Sequence, residues 1–356
     1  MKREKRKEKR IKPVSIANSI GLFLLIISTF IFHLSSSSQD LHLSQFNSSP
    51  MNLNPALAGA FDGQYRFVGN QRRQWASISP DAVPYQTIGI STDANNFIKS
   101  GVGAGLSVYN DRDGWSKLNT LQVNLACSYR LQINSDSTLF VTPGMQVGVT
   151  QQSINYDDLS FDNQYNGVYY DAGLDFGENF TETSHLYANI NAGIAFSYKL
   201  SDSKTIDGGI SLYNITKPKQ SFQGDNNIRL DRRFSFHARA TINLSEKFDL
   251  IPSYLFMSQG KFKEFDVGAS LRYIMTKNQF NYQAIYFGLW CRTQDAGFFS
   301  AGMDYNAWHL GVSYDINLSN LRPASSGRGG LEIAVIYIIQ PKPPKRLKYK
   351  QCPNYI

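Results

Sequence analysis

The stretch WHLGVSYDINL, residues 308–318, alternates without a slip: Trp308, Leu310, Val312, Tyr314, Ile316 and Leu318 fall on one side of an extended chain, and His309, Gly311, Ser313, Asp315 and Asn317 on the other. The pattern recurs about a dozen times, with aromatics near the segment ends and almost no helical period between. A soluble sandwich uses such strands once or twice. A chain written almost wholly in them suits a wall with lipid on one side and a wet lumen on the other, the condition of a transmembrane β-barrel.

Period-two runs predict fourteen strands, centred on 64–71, 85–91, 101–110, 120–132, 138–150, 187–200, 206–213, 234–244, 248–257, 265–274, 284–291, 297–305, 308–318 and 330–339. The expected fold is all-β, an outer-membrane barrel of about 14 antiparallel strands over residues 64–340; the even number is the one bacterial barrels use. Leu125, Ile194 and Val312 are expected to face lipid, and Asn124 and Ser313 the lumen. Connection lengths give a second, unrelated signal. Residues 134–137, 201–204, 245–247 and 306–307 are tight, whereas 151–186 and 214–233 are long. A periplasmic amino end then puts the even-numbered turns in the periplasm and the odd-numbered ones, mostly longer, outside.

Residues 2–12 hold eight Lys or Arg against Glu4 and Glu8, an apolar run follows over 16–34, and Ser35 to Ser38 precede Gln39. This reads as an export signal over residues 1–38, cut before Gln39; an uncleaved anchor helix is the rival. Residues 39–63, rich in Asn, Ser and Pro, are expected to fold as a plug or lid at the periplasmic end, the alternative being a disordered lead-in. Residues 341–356 form a basic, Pro-containing periplasmic tail.

The net charge of +8 suggests nucleic acid only until it is located. The leader carries +6 and the tail +5, which leaves −3 for the body. No nucleic-acid footprint remains. A mean hydropathy of −0.32 excludes a helical membrane bundle but not a barrel, whose two faces average out. The three cysteines are widely spaced and imply neither a disulfide framework nor a metal site. A barrel lipase would need a His with a neighbouring Ser and an orienting polar group, whereas His309 on the lumen face reads as a histidine bonded to its neighbours; the acidic residues of 151–186 lack calcium-loop spacing. No catalytic residue, metal or cofactor is expected. Gly101, Gly103 and Gly105 alternate within a strand and read as room for close packing. Inward charges of both signs, Arg130, Lys199 and Arg272 against Asp266, Asp315 and Glu332, argue against an ion filter and fit an occluded or plugged lumen at least as well as an open one.

SQF at 44–46, NLNPALAGAFDG at 52–63, RRQW at 72–75, GVGAGLSVYND at 101–111, SLYNITKPKQSF at 211–222, DRRFSFHA at 231–238, LIPSYLFMSQGKFKEFDVGASLRY at 250–273, LGVSYDINLSNL at 310–321 and CPNY at 352–355 together resemble the PorP/SprF family of type IX secretion system membrane proteins. The resemblance covers essentially the whole chain after the leader; the connection 151–186 departs from it. It implies a non-enzymatic component that supports secretion or surface attachment of cargo bearing a C-terminal sorting domain, gliding adhesins among them. Its partners would be that cargo, periplasmic and outer-membrane secretion components, and outer-membrane lipid. On the expected topology the motifs sort by side. Arg72, Arg73, Trp75, Asn110, Asp111, Asn214, Lys217, Pro218, Asp315 and Asn317 form a candidate outer cargo face. Asn54, Pro55, Gly59, Cys352, Pro353 and Tyr355 form a candidate periplasmic face. A diffusion channel for small or hydrophobic solutes is the alternative function.

Overall fold

Fourteen antiparallel strands close into a barrel. The computed structural model describes residues 40–74, 84–114, 118–156, 159, 161–171, 173–175, 177, 182–222, 225, 227–278, 281–319 and 322–341. The leader, Trp75, and Cys352, Pro353 and Tyr355 of the tail lie outside the described residues. The strands are β1 (Tyr65–Gln74), β2 (Tyr85–Ala94), β3 (Val102–Asp113), β4 (Leu118–Tyr129, resumed as Leu131–Gln132), β5 (Leu139–Ser153), β6 (Ser184–Ser201), β7 (Lys204–Tyr213), β8 (Arg233–Asn243), β9 (Phe248–Gln259), β10 (Phe262–Lys277), β11 (Tyr282–Arg292), β12 (Ala296–Tyr305), β13 (Trp308–Asn317) and β14 (Arg328–Ile339). Each pairs with its neighbour in sequence, and β1 closes on β14 from Tyr65↔Ile339 to Gln74↔Gly330. Closure leaves no unpaired edge, which a lipid-facing sheet requires. No helix among the described residues is long and apolar enough to cross a membrane.

Every expected strand is present, with ends displaced by a few residues. Side-chain alternation sets the faces: in β13 Trp308, Leu310, Val312 and Ile316 are exposed on the outer surface, while Gly311, Ser313, Asp315 and Asn317 are buried. Leu125 and Ile194 also point outward. Aromatics gather near one rim around Trp308, Tyr337 and Phe67, with the Trp308 and Tyr337 rings 4.5 Å apart. Nearer the other rim, Phe256 and Phe265 lie 4.6 Å apart. Such belts suit side chains with an apolar body at a membrane–water boundary.

One end of the barrel carries short turns, and the other the long connections 154–183 and 214–232. Length alternation is incomplete, however. The β9–β10 turn needs only Gly260 and Lys261, because Gly260 adopts a left-handed φ of +57°, and the β11–β12 connection is likewise tight. Odd-numbered connections are thus not uniformly long.

Candidate functional site

The lumen is where most polar chemistry of the molecule meets. Residues 40–63 run inside the wall, from the long-connection end to the short-turn end, where Gln64 N donates to Ile339 O (2.7 Å) and the chain enters β1. The segment contains a short helix, α1 (Pro50–Leu53), between two single 3-10 turns, Phe46–Ser48 and Pro55–Leu57.

At the long-connection end, charged wall residues grip the segment. The Glu332 carboxylate accepts the backbone N–H groups of Ser44 (2.7 Å) and Gln45 (2.9 Å). Ser44 Oγ donates to Asp315 (2.8 Å) and accepts from Arg292 (2.9 Å). Arg292 also reaches Asp266 (3.1 Å) and Asp315 (3.2 Å). Arg72 donates to Asp315 (2.9 Å) and to the carbonyl of His42 (2.9 Å). Arg292, Arg72, Asp315, Asp266 and Glu332 are all buried. These strands offer alternate inward positions, so acidic and basic side chains from five strands converge on one stretch of main chain. Charge-assisted bonds of this kind are stronger than neutral ones and fix geometry. His42 is partly buried, with its Nε2 4.0 Å from Glu264 Oε2.

At mid-lumen, Asn54 is fully buried and works in two directions. Its Oδ1 accepts the N–H of Ala56 (2.9 Å), capping the turn at Pro55, while its Nδ2 donates to the carbonyls of Ile194 (3.2 Å) and Ile210 (3.1 Å) on adjacent strands. Two glycines make the niche: a Cβ at Gly193 would lie 2.0 Å from Asn54 Oδ1, and one at Gly209 2.7 Å from Asn54 Nδ2.

Toward the short-turn end, main chain meets main chain. A Cβ on Gly144 would lie 2.4 Å from Ala56 Cα, and one on Gly103 2.2 Å from Ala58 O. Ser128 Oγ donates to Ala58 O (2.6 Å), and Gly59 N donates to Asp93 (2.7 Å), whose carboxylate also pairs with Arg66. Beside the segment, between it and β8–β14, lies a cavity of ≈ 310 Å³ lined by Ser253, Arg272, Tyr286, Trp290, Phe298 and His309 among others. His309 is bonded to Asp304 at 2.6 Å, and no metal-binding group of three or more His, Cys, Asp or Glu occurs among the described residues.

This geometry changes the meaning of both candidate faces. Arg72, Asn214, Asp315 and Asn317 lie near the long-connection end but turn inward and are buried. Three of them hold the segment, Asn214 through Asp40 (2.7 Å), while Asn317 bonds Ser325 (2.9 Å). Asn110 bonds Asn119 (2.9 Å), and Asp111 accepts from Thr87. Lys217 pairs with Asp231 at 3.3 Å beside Pro218 in the β7–β8 connection, and Arg73 is exposed on the outer side of β1. They are therefore not one open surface. Asn54, Pro55 and Gly59 are inside the lumen rather than on a surface at its periplasmic end, because glycine niches in the wall admit the turn they form. Arg66, Asp93, Glu332, Arg292 and the niche glycines went unread as partners of this segment. The signal available was small residues at inward positions of β3, β5, β6 and β7, opposite a motif containing Asn-Pro.

A model of the family described as type IX secretion system membrane protein PorP/SprF matches residues 35–337. None of the curated proteins matches the chain. Solved structures similar to it include the CymD monoaromatic hydrocarbon channel (11% identity, 83% of this chain and 93% of that one, TM-score 0.45). Others are a Pseudomonas aeruginosa FadL homologue (10%, 80% and 92%, 0.42) and the KdgM porin (8%, 77% and 99%, 0.38).

Proposed function

The chain belongs to the PorP/SprF family of type IX secretion system membrane proteins, and from that premise we propose that it is a plugged, non-enzymatic barrel that retains or hands over secreted cargo at the cell surface. Barrel and family together give its location, the outer membrane. The observation that carries the reading is the occupied lumen: residues 40–63 run through it and are bonded to the wall at both ends, with a cavity of ≈ 310 Å³ beside them. A solute channel is poorly served by such a filling. Cargo contact then falls to the long connections, since the inward rim residues are already engaged. The β5–β6 connection, residues 154–183, carries seven acidic residues and no Lys or Arg, and it bonds the neighbouring connection through Glu182 N to Phe222 O (3.2 Å). The cargo would be a surface protein with a C-terminal sorting domain, gliding adhesins included. The tail after Pro341 would meet periplasmic secretion components.

The test is made in cells and in bilayers. Cells lacking the chain should lose cargo from their surface, and the purified barrel should show no stable single-channel conductance. Deleting residues 345–356 should leave an inserted barrel at normal abundance while cargo fails to reach or stay on the surface. Steady conductance with unchanged cargo display would select the diffusion channel instead.

A further inference from the structure

We propose that the amino end of the mature chain emerges on the outer side of the membrane, through the long-connection mouth of the barrel. The inference rests on the orientation adopted above, with short turns in the periplasm.

The direction of the segment is set by its two ends. Asp40 N donates to Gln259 Oε1 (2.8 Å), and the Asp40 carboxylate accepts from Asn214 Nδ2 (2.7 Å) and lies 3.9 Å from Arg233 Nε. Gln259 ends β9, Asn214 follows β7 and Arg233 begins β8, so all three stand at the long-connection end. At the other extreme, Asn95 donates to Phe61 O (3.1 Å) and Gln340 to Asp62 O (3.2 Å), both at the short-turn end. The segment therefore enters at one mouth and leaves at the other. A plug that merely tucked into the periplasmic mouth would have both ends on the same side.

Among the described residues, chain that preceded Asp40 and returned to the periplasm would have to share the lumen with the segment. Retracing a membrane-spanning wall of about 25 Å takes about eight extended residues. A cavity of ≈ 310 Å³ lies beside the segment, between residues 44–48 and β8–β14. On the β3–β7 side, the fully buried Ala56 and Ala58 lie against wall glycines, and the cavities between the segment and that wall are ≈ 20 and ≈ 40 Å³.

The experiment places a short hydrophilic epitope between Gln39 and Asp40 of the full chain, with matching epitopes at Gln223 in the β7–β8 connection and at Asp202 in the β6–β7 turn, and probes intact cells with an impermeant antibody. The amino-terminal and Gln223 epitopes should be labelled to a similar extent, and the Asp202 epitope only after permeabilisation. An amino-terminal epitope that stays hidden while Gln223 is labelled overturns the inference and leaves the orientation standing. Labelling at Asp202 with Gln223 hidden overturns the orientation and the inference together. Should the insertion impair assembly, D40C in a background with Cys127, Cys291 and Cys352 changed to Ser is labelled with an impermeant maleimide, and the same outcomes apply.

Discussion

The two halves of the lumen hold one segment by opposite means. In the long-connection half, wall carboxylates and guanidinium groups seize the main chain at Leu41, His42, Ser44 and Gln45. In the short-turn half, the wall withdraws its side chains at Gly103 and Gly144, and the main chain of residues 55–58 lies against it. The first design tolerates small displacements but not the loss of a partner, since every charge is buried and counts on its neighbours. The second tolerates the loss of a hydrogen bond but not an added methyl group. A segment fixed in both ways is held in register along its whole length.

The largest effect should come from removing a charge from the first half. Arg292→Ala leaves Asp266 buried without its guanidinium partner and Asp315 with Arg72 alone. The expected cost is about 3–5 kcal/mol, read as a lower denaturation midpoint in detergent. Proteolysis should then cut within residues 40–50 before it cuts the wall. Equal sensitivity of both lumen halves would break the comparison.

The wall itself supplies the next effect and a control independent of the plug. Leu125→Arg, Ile194→Arg or Val312→Arg places a charge on the lipid face and should cost about 2–4 kcal/mol near mid-membrane, seen as reduced assembly on heat-modifiability gels. These three residues point outward. Silence at all three would invert the faces.

The faces were legible in the sequence because lipid and lumen impose period two on every strand, and β13 states it in ten consecutive residues. The plug was less legible for a physical reason. An inward Asp315 or Arg72 looks the same in sequence whether it meets water, cargo or a buried serine, and its meaning is settled only by what fills the lumen. Asn54 illustrates the limit: Asn before Pro announces a turn, but its second role depends on Gly193 and Gly209, some 140 and more residues away and unmarked as partners. The β9–β10 turn failed differently, since Gly260 permits a tight reversal where the topology alone suggested a long loop.

The packing half can be broken with single atoms. Gly144→Ala would set a methyl group against the backbone of Ala56, and Gly103→Ala against Ala58 O. Each should cost about 1–3 kcal/mol, because the opposing atoms are main chain and have no rotamer to yield. Ser128→Ala, which only deletes the bond to Ala58 O, should cost about 0.5–1.5 kcal/mol. If the serine change cost more than either glycine change, hydrogen bonding rather than close approach would hold this half.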